Sequence, residues 1–396
     1  MLTSLINCGF FVVGWVSYYV FWIYINYWLY FLCTVALKIA AKLRSQVYNQ
    51  DKKINPSSNL AILVTGSTSG IGLAVSKYFH ARGYSVIAAY YSKQEPGYEE
   101  LLKISQRGDK NSIFLVELNV KSEDSISQSF SEVRQLMYDN NLKLRALINN
   151  AGVAFYYRSQ WQPRDTLRAT VETNLLGPML MTRQYMPLLI EAPGSRIVNV
   201  SSALSFMPVA NASIYGSTKS GLAYYTGSLA TDIAGYGVKA VTIYPGNLIK
   251  NTSIVAGCSD RMKSVFEKLS EQEKDLYRDE FEAHERQAKK VVDWLKRSQE
   301  KRAKSTNRVH RRPWLKLLKK TMVLLSGGIK NGVEIHESSV MESFDNAVSL
   351  VDPPEEMFAG NRFFNIVSST FVESLSHVTR IRISSLRRKF HKEAYM

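Results

Sequence analysis

A phenol and an ammonium held one helical turn apart can move a proton, and Tyr215-Gly216-Ser217-Thr218-Lys219 offers that pair. Residues i and i+4 lie on one face of a helix. A free tyrosine, with a pKa near ~10, is useless as a proton shuttle at neutral pH. A neighbouring cation favours the phenolate and brings the group towards the range where general acid–base catalysis is efficient. Taken alone the pair is weak evidence, because the same spacing serves surface stacking on many helices. Its weight comes from the residues upstream.

Those residues alternate between short apolar runs and helical stretches. Ala61-Ile62-Leu63-Val64 reads as a strand buried on both faces of a parallel sheet. It leads into Thr65-Gly66-Ser67-Thr68-Ser69-Gly70-Ile71-Gly72 and then a helix to about Arg82. Glycines between a strand and a helix permit a tight turn, close backbone approach to a pyrophosphate, and close helix–strand packing. The helix N-terminus supplies N–H groups to the anion. Further strands are predicted over 85–90, 112–117, 144–148, 196–200 and 238–244, with helices over 122–138, 164–190 and 213–234. The long 164–190 helix carries Asn174, and Gly177-Pro178 is expected to bend it. In an open parallel sheet a ligand lies across the carboxyl ends of the strands. Gly66, Asn150, Ser202 and Pro245 all follow predicted strand ends, so one crevice could collect them. The fold class expected is α/β, a single Rossmann-like doubly wound parallel sheet.

The stretch from about Leu60 to Thr252 resembles the short-chain dehydrogenase/reductase family. The resemblance rests on the Thr65–Gly72 turn, Asn149-Asn150-Ala151-Gly152, Asn174, Ser202, the Tyr215/Lys219 pair and Pro245-Gly246. Tyr244-Pro245-Gly246-Asn247-Leu248-Ile249 looks like the branch holding retinol, 3-hydroxybutyrate and type 2 11-beta-hydroxysteroid dehydrogenases, as does the helical region 261–282, a substrate cover there. The resemblance implies that Tyr215 is the general acid/base and that Lys219 lowers its pKa and bonds the nicotinamide ribose. It implies that Ser202 polarises the substrate oxygen and that Asn174 supports a water relay to Lys219. Gly66, Ser67, Ser69, Gly70, Ile71, Gly72, Asn119, Val120, Asn150, Ala151, Gly152, Pro245 and Gly246 would join Tyr215 and Lys219 against the cofactor. Asn119 stands where many members have Asp at the adenine, and Ser201 is the neighbour more suited to bonding backbone. An acid at the end of the second strand would favour NAD and a base NADP. Tyr90-Tyr91-Ser92-Lys93 decides for neither, and Ser69 stands where NADP-preferring members often carry a base. NAD is expected, with NADP left open.

Outside this core, residues 2–37 contain no Asp, Glu, Lys or Arg and are rich in Phe, Val, Trp, Tyr, Ile and Leu. A membrane-spanning helix needs ~20 such residues, so a transmembrane anchor is expected over 1–40. The competing reading, a cleaved signal peptide, wants a basic start and a shorter apolar run. Lys38, Lys42, Arg44, Lys52 and Lys53 follow the run, which places the body on the cytosolic side by the positive-inside rule. Three Asn-x-Ser/Thr triplets, at Asn199, Asn211 and Asn251, fall in the core and lend weak support to that side. The expected domains are thus the anchor (1–40), a polar linker (41–59), the dehydrogenase core (60–255), and a C-terminal part (256–396) with the substrate cover and a basic insertion. The localisation expected is the endoplasmic reticulum, single-pass.

The net charge is +16 with a pI of about 9.5, and an excess of basic residues over 289–320 accounts for most of it. The following Trp314–Leu325 places its apolar residues on one helical face, as an interfacial helix drawn to anionic lipid would. A solvated basic loop followed by a core helix is the equal alternative. Arginines and lysines between Arg380 and Lys392 offer a second membrane contact. No nucleic-acid module surrounds either run. The cysteines and histidines do not cluster, so no metal is expected. The partners expected are a lipophilic small molecule and membrane lipid, and a homodimer is the assembly considered.

Overall fold

Buried strands need hydrophobic residues on both faces, and the apolar runs deliver them in register. The computed structural model describes residues 28, 32, 53–107, 111–206, 208–209, 211–245, 258–283, 285–286, 339–353 and 355–359. Strands β1 (Leu60–Thr65), β2 (Ser85–Tyr90), β3 (Ile113–Glu117), β4 (Lys143–Asn149), β5 (Arg196–Val200), β6 (Lys239–Pro245) and β7 (Glu356–Ala359) form one sheet in the order β3-β2-β1-β4-β5-β6-β7. All of its pairings are parallel. Alternate side chains of β1 feed opposite cores. Ile62 and Val64 join Val75 and Phe79 of α1 (Gly70–Ala81) on one face. Ala61 and Leu63 join Val133 of α3 (Glu123–Asp139) and Tyr185 of α5 (Gly177–Ile190) on the other. The short α2 (Tyr98–Ser105) precedes β3.

The strand order reverses between β1 and β4, and a crevice opens at the carboxyl ends of such a pair. Thr65 ends β1 and Asn149 ends β4. Ser122 caps α3 by accepting from the Ser125 N–H at 3.2 Å.

Two features differ from the sequence expectation. The predicted 164–190 helix is α4 (Arg164–Val171), a π turn (Glu172–Leu176), then α5. Pro178 has no N–H to return to the carbonyl of Asn174, so the regular ladder cannot run through this point. The widened turn comes before Gly177 and carries buried Thr173 and Asn174.

The sheet also has a seventh strand, drawn from the segment that the sequence reading left as a C-terminal appendage. It follows α9 (Ser339–Ser349), whose Val340, Phe344 and Val348 are buried in the β1 core. Two buried arginines hold the end of α9. Arg145 Nε and Nη2 donate to the Val348 carbonyl at 3.1 and 2.8 Å. Arg196 Nη2 donates to the Val351 carbonyl at 3.1 Å. Cations at a helix C-terminus meet its unpaired carbonyls. Lys53 and Arg82 flank Asp345 of the same helix at 2.7 and 3.3 Å.

The chain divides into two compact units, and the described sheet lies within Lys53–Asn365. The expected anchor over 1–40, the basic insertion 289–325 and the 380–392 run lie outside the described residues, apart from Trp28 and Leu32. Among the described residues no helix is long and apolar enough to cross a membrane.

Candidate active site

The turn after β1 is shaped by what it cannot accommodate. Gly66 and Gly70 have φ of +63° and +50°, in the left-handed region that favours glycine. A Cβ on Gly72 would stand 2.0 Å from the Gly66 carbonyl oxygen and 2.5 Å from Asn150 Nδ2. The first turn of α1 therefore packs directly on the loop. Asn150 Nδ2 donates to the carbonyls of Thr65 and Gly66 at 3.0 and 3.1 Å. Thr65 Oγ1 accepts from the N–H groups of Asn150 and Ala151, both at 3.0 Å. The Asn149–Gly152 segment thus braces the glycine turn across the switch point. Ser67 ties the loop to β2 by donating from Oγ to the Ala89 carbonyl at 2.9 Å. Ser69, the residue preceding α1, makes no side-chain cap bond. An uncapped N-terminus keeps its first N–H groups for an anion.

Asn119 and Val120 follow β3. Asn119 Oδ1 accepts from the Lys121 N–H at 3.1 Å, and the Asn119 N–H donates to Ser125 Oγ at 2.9 Å. Val120 is buried. Pro245 closes β6 opposite Ala359, while Gly246 lies outside the described residues.

Tyr215 and Lys219 lie on α6 (Ser213–Asp232), both buried. The Ser202 side chain stands beside the Tyr215 phenol and pulls it towards the phenolate. Ser202 Oγ also accepts from the Leu204 N–H at 3.2 Å. Lys219 Nζ donates to the Val200 carbonyl at 2.8 Å and stands 5.9 Å from the Tyr215 ring centre. Asn174 holds Val153 by both its polar atoms at 2.8 Å, and its Nδ2 also reaches Thr218 Oγ1 at 3.2 Å. A Cβ on Gly152 would come 3.3 Å from Asn174 Oδ1 and 3.5 Å from Lys219 Nζ. Gly152, Asn174 and Lys219 therefore converge on one small space. Ser201 turns away from it: its Oγ donates to the Lys219 carbonyl at 2.8 Å.

The electrostatics depart from the expectation that Lys219 draws the phenol down. Burial pushes the Tyr215 phenol above its ordinary range, and the Ser202 hydrogen bond is what pulls it back. Burial also lowers the Lys219 ammonium, to about 8. One of its N–H groups goes to the Val200 carbonyl, and the ammonium stands 5.9 Å from the centre of the Tyr215 ring.

Sequence reading missed Tyr156, which lies against this cluster, and a group of aromatic contacts that joins the 155–161 segment to the cover region. The Tyr156 ring lies 5.9 Å from that of Tyr215, centre to centre. Trp161 contacts Tyr277 and Phe281 at 6.3 and 6.2 Å, and Phe266 stacks on Phe281 at 3.9 Å. These last three rings come from α7 (Cys258–Glu267) and α8 (residues 271–283), within the expected cover region. The run Phe155-Tyr156-Tyr157 was the available signal. It carried no periodicity that distinguishes a site wall from core.

A parallel sheet with a glycine turn braced across its switch point, and a Tyr–Lys pair buried beside a half-buried Ser, defines a class of α/β proteins built to bind a dinucleotide next to a proton-transfer group. A family model described as short chain dehydrogenase matches residues 60–262, and the chain belongs to that family. It is similar to estradiol 17-beta-dehydrogenase 2 of Rattus norvegicus, 31% identical over 63% of this chain and 65% of that protein. It is also similar to the mitochondrial D-beta-hydroxybutyrate dehydrogenase of Bos taurus, 29% identical over 58% of this chain and 65% of the relative. Retinol dehydrogenase 7 of Rattus norvegicus is 28% identical over 64% of this chain and 76% of its own length. The chain spans just under two thirds of the first two relatives.

Proposed function

We propose that this chain is a nicotinamide-dependent oxidoreductase that interconverts an alcohol and its carbonyl on a lipophilic substrate, a steroid or retinoid, with NAD as cofactor. The observation that carries the reading is the buried Tyr215 with Lys219 Nζ 5.9 Å from its ring centre, and Lys219 beside Asn174 at the unsubstituted edge of Gly152.

The residues present fit a dinucleotide. Gly66, Ser67, Ser69, Gly70, Ile71 and Gly72 would hold the pyrophosphate through backbone N–H groups. Asn119 and Val120 would meet the adenine, and Asn150, Ala151, Gly152, Lys219, Pro245 and Gly246 the nicotinamide half. When bound, the cofactor supplies or accepts the hydride. The protein moves the proton. Tyr215 exchanges it with the substrate oxygen, and Ser202 orients that oxygen with a second hydrogen bond. Lys219 and Asn174 supply polar groups through which the Tyr215 proton can be replaced. Aromatic rings from Tyr156 to Phe281 exclude water and suit a flat apolar substrate.

Similarity to D-beta-hydroxybutyrate dehydrogenase supports a second reading, a small hydroxy acid. A cofactor-binding membrane scaffold without turnover is the reading of another class. The anchor over 1–40, the cytosolic orientation and contact with anionic lipid belong to the same proposal and are supported by the sequence; the endoplasmic reticulum and a homodimer complete it.

The test is formation of NADH by the purified full chain offered steroids, retinol and 3-hydroxybutyrate. Turnover with a steroid or retinol is expected. Turnover with hydroxybutyrate alone would select the second reading. Cofactor binding without any turnover would select the scaffold.

A further inference from the structure

Ser202 stands at the head of a short 3-10 turn, Ala203–Ser205, that follows β5. The turn closes on itself: the Ser205 N–H donates to the Ser202 carbonyl at 3.0 Å, and the Leu204 N–H to Ser202 Oγ at 3.2 Å. Its far end is fastened to α6 by three hydroxyls that the proton transfer itself does not use. Ser220 Oγ donates to the Ser205 carbonyl at 2.8 Å, with the Gly216 carbonyl of its own helix at 2.9 Å as a second acceptor. Ser201 Oγ gives its proton to the Lys219 carbonyl at 2.8 Å, so its 2.7 Å contact with Ser205 Oγ is made by the Ser205 proton. A helical serine can satisfy itself on the carbonyl four residues back. The bond from Ser220 to Ser205 is not needed for that, and it joins two separate segments. The turn lies close on the helix: a Cβ on Gly216 would meet the Leu204 carbonyl oxygen at 3.4 Å.

We propose that Ser220 is a positioning residue: by holding Ser205 it fixes the turn that presents Ser202 to the Tyr215 phenol. The inference rests on the oxidoreductase reading of the site. Ser220 lies on the same helix as Tyr215, about 7.5 Å further along its axis. One rigid element thus carries both the phenol and the anchor of the turn that faces it, so whatever ties the turn to Ser220 also sets Ser202 against Tyr215. Among the described residues, the groups beside the phenol are Ser202, Lys219, whose Nζ is 5.9 Å from the ring centre, and the Tyr156 ring, also at 5.9 Å. Ser202 is the one that favours the phenolate, against the effect of burial. With the turn unfastened, Ser202 faces the phenolate for less of the time, and Tyr215 keeps its proton to higher pH.

The pH dependence of alcohol oxidation, followed as NADH formation by the full chain with its best substrate, tests this. Oxidation needs the phenolate as base, so kcat climbs with pH through the titration of Tyr215. Ser220→Ala removes the hydroxyl that reaches Ser205. It should move the climb to higher pH by about one pH unit, which below the midpoint lowers kcat about tenfold, while NADH affinity stays within about threefold. Ser220→Thr keeps a hydroxyl at this position and should restore the parent profile. Ser220→Cys, of similar size but a weaker donor, should move the profile in the same direction as Ala, and it decides the matter if the Ala variant does not fold. A fall in kcat with the pH profile unmoved makes Ser220 a structural residue only and overturns the assignment, as does an Ala variant that matches the parent. A parent chain that binds NADH and turns over no alcohol overturns the oxidoreductase reading, and the assignment falls with it.

Discussion

Replacing Lys219 by Met removes a charge that the folded protein holds at a cost. Lys219 is 4% exposed, and burial brings its ammonium from 10.5 to about 8. At about 1.4 kcal/mol per unit, keeping it protonated in the fold costs about 3 kcal/mol at neutral pH. Leaving the Val200 carbonyl without its donor returns about 1–3 kcal/mol of that in the variant. The two nearly cancel at pH 7, so a single stability measurement there is uninformative. The pH dependence separates them. Below about pH 8 the folded and unfolded chains both carry the proton. Between about 8 and 10.5 the unfolded chain binds more protons than the folded one, so this group makes stability rise with pH. Between pH 8 and 9.5 the parent should gain about 2 kcal/mol over Lys219→Met. Urea unfolding followed by circular dichroism at pH 7, 8, 9 and 9.5 gives the difference. The window stops there because the raised phenols of Tyr90, Tyr185 and Tyr215 act with the opposite sign above their ordinary range. Parallel stability curves for the two proteins would refute the claim that Lys219 is held charged in a desolvated site.

Gly72→Ala should abolish dinucleotide binding, because its Cβ would sit 2.0 Å from the Gly66 carbonyl oxygen and must push the glycine turn open. Calorimetric titration with NADH checks it, and retained affinity would mean that the turn is not the cofactor cradle. Arg196→Met should destabilise the fold by about 2 kcal/mol, since it takes the Arg196 donor from the Leu350 and Val351 carbonyls at the end of α9 while relieving a desolvated charge. Limited proteolysis should then cut first between α9 and β7; an unchanged cleavage pattern and urea midpoint would show that the arginine does not hold this segment.

Much of the fold could be read from residue patterns, for identifiable physical reasons. Six strands are runs such as Ala61–Val64 and Ile197–Val200, apolar because both faces of a parallel sheet are covered. β7 escaped notice because four residues, Glu356–Ala359, carry no pattern of their own. They become a strand only where Glu356–Ala359 meets Thr242–Pro245, with Tyr244 donating to the Glu356 carboxylate at 2.8 Å. The π turn at Asn174 was similarly hidden. Gly177-Pro178 marks a disturbance, while its position one turn earlier follows from the missing Pro178 N–H. At the site, spacing gathered Ser202, Tyr215, Lys219 and Asn174; Asn174 and Lys219 meet around Gly152, and Ser202 stands beside Tyr215. Spacing said nothing of what each group bonds. The Lys219 ammonium goes to Val200, and Glu95 reaches Thr68 from 27 residues away. Contacts of that kind depend on how loops lie across the sheet, which no local sequence rule contains.

Proton transfer through Tyr215 is the claim on which the rest depends, and Tyr215→Phe measures it most directly. The substitution removes one oxygen from a buried ring and keeps its contact with Tyr156. Positioned acid–base groups contribute about 10²–10⁴-fold to rate. Turnover of the best alcohol or ketone substrate should fall by at least about 10²-fold, with NADH affinity unchanged within about threefold. A Phe variant that keeps both its turnover and its cofactor affinity would contradict the account.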